Sequence, residues 1–164
     1  MQFIDTHSHI YLPEFDSDRD AAVERAVKSG VKAILMPNID AGSLDSMLDT
    51  EKRYSGICFS MLGLHPTSVK EDYLKQLEVL ENSFSAHKYI AIGEIGIDLY
   101  WDKTFIREQL IAFRRQLAFS LDVKLPVVIH SRESFPEVFA VLDEFAGRGL
   151  NGVMHAFSGT ADDA

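Results

Sequence analysis

Short apolar runs alternate along the chain with stretches in which apolar residues recur every three or four positions. Runs rich in β-branched and aromatic residues open near Phe3, Val31, Ile57, Tyr89, Leu125 and Gly152, and each predicts a strand. Helical stripes fill most of the gaps: Ala22, Val23, Ala26 and Val27; Leu44, Met47 and Leu48; Leu77, Leu80 and Phe84; Ile106, Leu110, Phe113 and Leu117; and Phe135, Val138, Phe139, Leu142 and Phe145. Apolar residues at this spacing bury one face of a helix. Gly30 stands where the first stripe needs a C-terminal cap, and "VKAILMP" begins directly after it. The runs "AILMP", "YIAIGEIGI" and "LPVVIH" are almost continuously apolar, as in parallel strands covered on both faces.

Repeated βα units without a linker predict an α/β fold, either a doubly wound sheet or a TIM-type (β/α)8 barrel. Read as a barrel, the chain holds about six of the eight βα units and stops soon after the sixth strand, in "HAFSGTADDA". Its first and sixth strands are then unpaired edges, which are an association hazard, so the chain is expected to be a C-terminally incomplete barrel.

Composition narrows the class. With 164 residues, 46% of them hydrophobic and 25% charged, the chain has material for one sizeable core. A net charge of -9 argues against a broad basic surface for nucleic acid, so any phosphate site must be focused. The lone cysteine, Cys58, lies in the apolar run "GICFSML", reads as a buried hydrophobe and cannot form an internal disulfide. There is no basic leader and no run of about 18 apolar residues. A cytoplasmic protein without a membrane association is expected.

The polar residues that interrupt this pattern gather at strand ends. His7 and His9 follow the first run two apart, and side chains at i and i+2 share one face of a strand, as Asp5 would too. Such a pair suits either hydrogen bonding at a strand end or a shared metal. Glu94 interrupts an otherwise apolar strand between Gly93 and Gly96, a costly burial unless a cation neutralises it. His65 ends the third strand, His130 and Arg132 the fifth, and His155 the sixth. Five of the six histidines thus fall where an α/β barrel builds its active site, and together with Glu94 they favour a metal centre. His87, in "SFSAHKYI", is expected to be solvent-exposed.

In order along the chain, "DTHSHIY", "GLHP", "IGEIGIDLYWDK", "IHSRE" and "HAFSG" resemble the TatD family of metal-dependent deoxyribonucleases, which are amidohydrolase-like barrel hydrolases. The resemblance runs from Phe3 to about Gly159 and implies a single metal-dependent hydrolase domain over residues 1–164. It implies two divalent ions, of zinc, magnesium or manganese: one held by His7 and His9, one by His130 and His155, with Glu94 bridging. Sites of this kind hold their ions about 3.5–4 Å apart. It also implies that Glu94 is catalytic and that His65 and Arg132 face a substrate phosphate, although a hydrogen-bonded loop histidine and a surface ion pair are the structural alternatives. Tyr100 and Trp101 would stack on a base or cap the barrel.

The family's aspartate at the end of the eighth strand has no counterpart here. Asp162 and Asp163 instead read as carboxylates at the N-terminus of a sixth helix, and the His7/His9 position is expected to bind metal more weakly. The implied activity is hydrolysis of DNA phosphodiesters, from the 3′ end of single strands. Two alternatives are a metal-dependent hydrolase of a small phosphoester, ester or amide, and an inert metal-binding fragment or interaction module.

Overall fold

The computed structural model describes residues 1–164. Its elements follow the βα rhythm: β1 (Phe3–Asp5), α1 (Arg19–Lys28), β2 (Val31–Met36), α2 (Leu44–Arg53), β3 (Cys58–Ser60), α3 (Tyr73–Ser83), β4 (Ile92–Asp98), α4 (Ile106–Val123), β5 (Val127–Arg132), α5 (Phe135–Asp143) and β6 (Gly152–Met154). All six strands run parallel, β1-β2-β3 and β4-β5-β6. The two sets meet where Leu62 pairs with Ile92, with the Leu62 N–H on Ala91 O at 3.0 Å and the Gly93 N–H on Leu62 O at 2.8 Å. Spatial order therefore equals chain order. A doubly wound sheet reverses its order at a switch point, so this is the partial barrel, with five βα units and a sixth strand.

Each helix buries the face its pattern predicts, through Val23 on α1, Leu44 and Met47 on α2, Leu77 and Leu80 on α3, Phe113 and Leu117 on α4, and Val138 on α5. Val27 is an exception, being exposed. Helix α4 adds two buried glutamines that clamp strand-end backbone. Gln109 accepts the Asp98 N–H at 2.9 Å and donates to its carbonyl, and Gln116 does the same at Leu64. The helix ends with Lys124 in the left-handed region, at φ 57. The Leu125 N–H is thereby committed to Ser120 O, which delays the fifth strand to Val127. Gly96, at φ +140, lies so close to β5 that a Cβ there would stand 2.0 Å from the carbonyl oxygen of His130. That approach sets the ends of β4 and β5 side by side.

β1 and β6 are the edge strands, and Phe3, Ile4 and Val153 on them are exposed. Cys58 is buried, as expected. His87 is corrected: it is half-buried, with Nε2 2.9 Å from Glu51 Oε2. The Asp163 carboxylate accepts the N–H and hydroxyl of Thr160, closing a turn. No helix is long and apolar enough to cross a membrane.

Candidate metal centre

Every residue of β4 is buried, and Glu94 projects from its middle with 2% of its surface exposed. Four imidazoles surround this carboxylate. One oxygen, Oε1, lies 3.0 Å from His130 Nδ1; the other, Oε2, lies 3.0 Å from His7 Nε2, 3.8 Å from His65 Nε2 and 3.9 Å from His9 Nε2. Burial alone would push the Glu94 carboxyl up, but hydrogen bonds from His130 and His7 and the nearby imidazoles hold it below its ordinary value. It is an anion. An isolated buried carboxylate would cost several kcal/mol, so its surroundings must supply positive charge.

His7 and His9 reach the site by a route other than strand alternation. The first strand stops at Asp5, whose carboxylate accepts the His7 N–H at 3.2 Å. Asp5 therefore finishes the strand end instead of facing the histidines, contrary to the strand pattern. The Ser8 N–H still bonds Leu35 O at 3.0 Å, which keeps the segment beside β2, and the Nε2 atoms of His7 and His9 converge to 3.2 Å. Burial, followed by the neighbouring His7, lowers the pKa of His9, so a neutral ligand form is favoured.

His130 stands on β5 opposite Gly96, between two carboxylates: Nδ1 faces Glu94 and Nε2 lies 2.8 Å from Asp98 Oδ2. Burial pulls its pKa down, but the two carboxylates outweigh that and raise it. Asp98 was missed in the sequence, where it reads merely as the last polar residue of "IGEIGID". It is 2% exposed, and its position four residues after Glu94, on the same face of one strand, was the available signal.

His155 follows β6, with its N–H on Ile129 O at 2.8 Å. Its ring stacks on that of His7 at 3.4 Å between centroids and 13° between planes. Burial, then His7, lowers its pKa. His65 begins the turn Pro66–Ser68 and its Nδ1 accepts the Thr67 N–H at 3.2 Å. Nδ1 also lies 2.7 Å from the Thr67 hydroxyl. Burial pushes His65 down to about 4, so it is neutral near pH 7, and its Nε2 faces Glu94. The loop-histidine alternative thus holds locally while a ring nitrogen still points into the site. Arg132 makes no ion pair; its guanidinium lies 3.8 Å from the Tyr100 ring centre and 5.3 Å from that of Trp101. The surface ion-pair alternative does not hold. Tyr100 and Trp101 are exposed and do not seal the barrel.

Donor atoms within 4.8 Å of one another form two groups that share Glu94, one with His7 and His9 and one with His65 and His130. Imidazole nitrogens crowded about one anion fit a divalent cation, and mixed nitrogen and oxygen donors suit zinc or manganese. The buried Nδ1 of His7 has no hydrogen-bond partner. Beside the cluster, His130, Ser131, Arg132, His155, Ala156 and Ser158 line an open cavity of about 270 Å³.

A histidine and carboxylate cluster thus gathers toward the C-terminal ends of the strands of a partial α/β barrel, where barrels build their sites. Residues 4–164 match the family described as TatD related DNase, and the chain belongs to that family. It is 31% identical to the uncharacterized metal-dependent hydrolase YabD of Bacillus subtilis, over 98% of this chain and 62% of YabD. It is 31% identical to the 3'-5' ssDNA/RNA exonuclease TatD of Cronobacter turicensis, over 95% of this chain and 59% of that protein. The crystal structure of YjjV, a TatD homologue from Escherichia coli K12, matches with a TM-score of 0.89 at 32% identity, covering 99% of this chain and 62% of YjjV. The chain thus spans under two thirds of the length of these relatives.

Proposed function

We propose that residues 1–164 form a single metal-binding hydrolase domain and carry most of the centre of a divalent-metal-dependent nuclease acting on single-stranded DNA from the 3′ end. One observation carries this reading: the buried Glu94 carboxylate has imidazole nitrogens at 3.0, 3.0, 3.8 and 3.9 Å. Its two oxygens address different histidines, which suits a bridge between two ions. His7 and His9 would hold one ion, while His130 would hold the other with His155. Zinc, manganese and magnesium are the candidate ions. When bound, such a pair lowers the pKa of water to a nucleophilic range and offsets charge on a phosphodiester.

The other residues take the substrate side. His65 presents its Nε2 toward the cluster, to face a phosphate oxygen. Arg132 rests on aromatic rings instead of a carboxylate, which leaves its fork free for paired phosphate oxygens. Exposed Trp101 offers a face to an unpaired base, and stacking of this kind contributes about 1–3 kcal/mol per base. The net charge of -9 fits recognition focused on the centre. The 3′-to-5′ direction and single-strand choice rest on the name of the Cronobacter relative.

The test is hydrolysis of a 5′-labelled single-stranded DNA oligonucleotide by the natural full-length protein with magnesium or manganese, beside its Glu94→Gln variant. A ladder that shortens from the 3′ end and disappears in the variant supports the reading. No cleavage despite verified metal loading sinks the nuclease assignment and turns attention to small phosphoesters, esters and amides.

A further inference from the structure

We propose that Tyr11 is a positioning residue for the metal centre: its buried hydroxyl holds His9 as the Nδ1–H tautomer and so reserves Nε2 for a cation. The inference follows from hydrogen-bond bookkeeping. Tyr11 is fully buried, and its O–H donates to Pro37 O at 2.7 Å. A carbonyl oxygen can only accept, so the single phenolic proton is committed there. The same oxygen lies 3.1 Å from His9 Nδ1. With its proton directed at Pro37, the phenol can only accept from the ring, and the ring proton must sit on Nδ1. The lone pair then falls on Nε2, the atom that faces His7 Nε2 at 3.2 Å and Glu94 Oε2 at 3.9 Å.

Pro37 directly follows β2, so the relay Pro37–Tyr11–His9 refers one histidine of the first segment to the end of its neighbouring strand. The ring planes of His9 and Tyr11 meet at 73°, edge toward face, so the hydroxyl fixes the imidazole's rotation as well as its proton. A partner of this kind governs which nitrogen of a ligating histidine is free. His7 has no equivalent, since its Nδ1 is buried without a partner. The relay therefore acts on one member of the His7/His9 pair alone.

The inference rests on His9 being a ligand, and two readouts keep the ideas apart. Imidazole nitrogen chemical shifts of the full chain with ¹⁵N-labelled histidine, metal-free near pH 8, report the tautomer directly. His9 is expected to carry its proton on Nδ1. In Tyr11→Phe, which keeps the ring and removes the acceptor, that preference is expected to give way to a mixture of tautomers, and zinc affinity measured by competition to fall about 10–100-fold. A proton on Nε2 of His9 in the native chain would overturn the proposal even if the variant does not fold. So would a Tyr11→Phe chain with tautomer and zinc affinity unchanged. A His9→Ala chain that binds zinc as tightly as the native one would remove His9 from the centre, a failure of the underlying reading that the metal-free spectrum tells apart.

Discussion

Asp98 Oδ2 lies 2.8 Å from His130 Nε2, while Asp98 Oδ1 accepts the N–H groups of Tyr100 at 3.0 Å and Trp101 at 3.3 Å. One buried carboxylate thereby orients a histidine of the cluster and pins the turn on which Arg132 rests. Replacing it should disturb both. Asp98→Ala is expected to weaken zinc binding about 10–100-fold and to alter tryptophan fluorescence, because Trp101 is the sole tryptophan. Asp98→Asn, which keeps an acceptor, should recover much of the loss. Equal zinc affinity in native and Asp98→Ala chains, measured by competition with a chromophoric chelator, would remove Asp98 from this role.

Metal removal should be visible in thermal unfolding. A cation that binds the native cluster and not the unfolded chain, present at about 100 times its Kd, adds about 2.7 kcal/mol. For a chain of this size each kcal/mol moves Tm by about 2–4 °C. Scanning calorimetry with zinc and then with excess chelator is expected to show a fall of roughly 5–10 °C. Glu94→Gln, which removes the central anion, should make the two scans coincide.

Phe113 anchors α4 with no exposed surface, and truncating it leaves a hole that backbone already clamped by Gln109 and Gln116 cannot easily close. Phe113→Ala is expected to cost about 3–5 kcal/mol in urea unfolding. A cost under about 1 kcal/mol would mean that α4 is held chiefly by its glutamine clamps.

Burial raises the Cys58 thiol from 9.0 to about 11. The folded chain then holds this proton more tightly than the unfolded one, so the associated stability is whole below pH 9 and is lost as pH rises toward 11. Native protein should lose on the order of 1 kcal/mol more than Cys58→Ala between pH 8 and pH 10.5. Parallel losses in urea titrations of the two proteins would contradict this, and rapid labelling of the native thiol at pH 8 would show that it is not buried.

Much of this architecture was legible because burial on both faces forces parallel strands to be continuously apolar. The six runs mark six strands, and the stripes through Leu77 and Phe113 mark core faces. The cluster was legible for a related reason: Glu94 is conspicuous in a strand with no other charge before Asp98. What escaped depends on partners remote in sequence. Gln109 and Gln116 are ordinary polar residues on a helix until the ends of β4 and the third strand arrive beneath them. Tyr11 looks like core until Pro37 approaches from β2. Asp5 was misplaced because strand alternation was carried past the residue where the strand stops. His130 and His155 line one cavity, and the further stack of the His155 ring on His7 was not legible because it joins residues at opposite ends of the chain.

That stack has a mechanical meaning. His7 extends from β1 and His155 from β6, the two outermost strands, yet their rings are 3.4 Å apart. Histidines that follow the first and sixth strands thus meet beside the buried Glu94 of the fourth. A single cation at the cluster would therefore tie together strands that lie far apart in the chain.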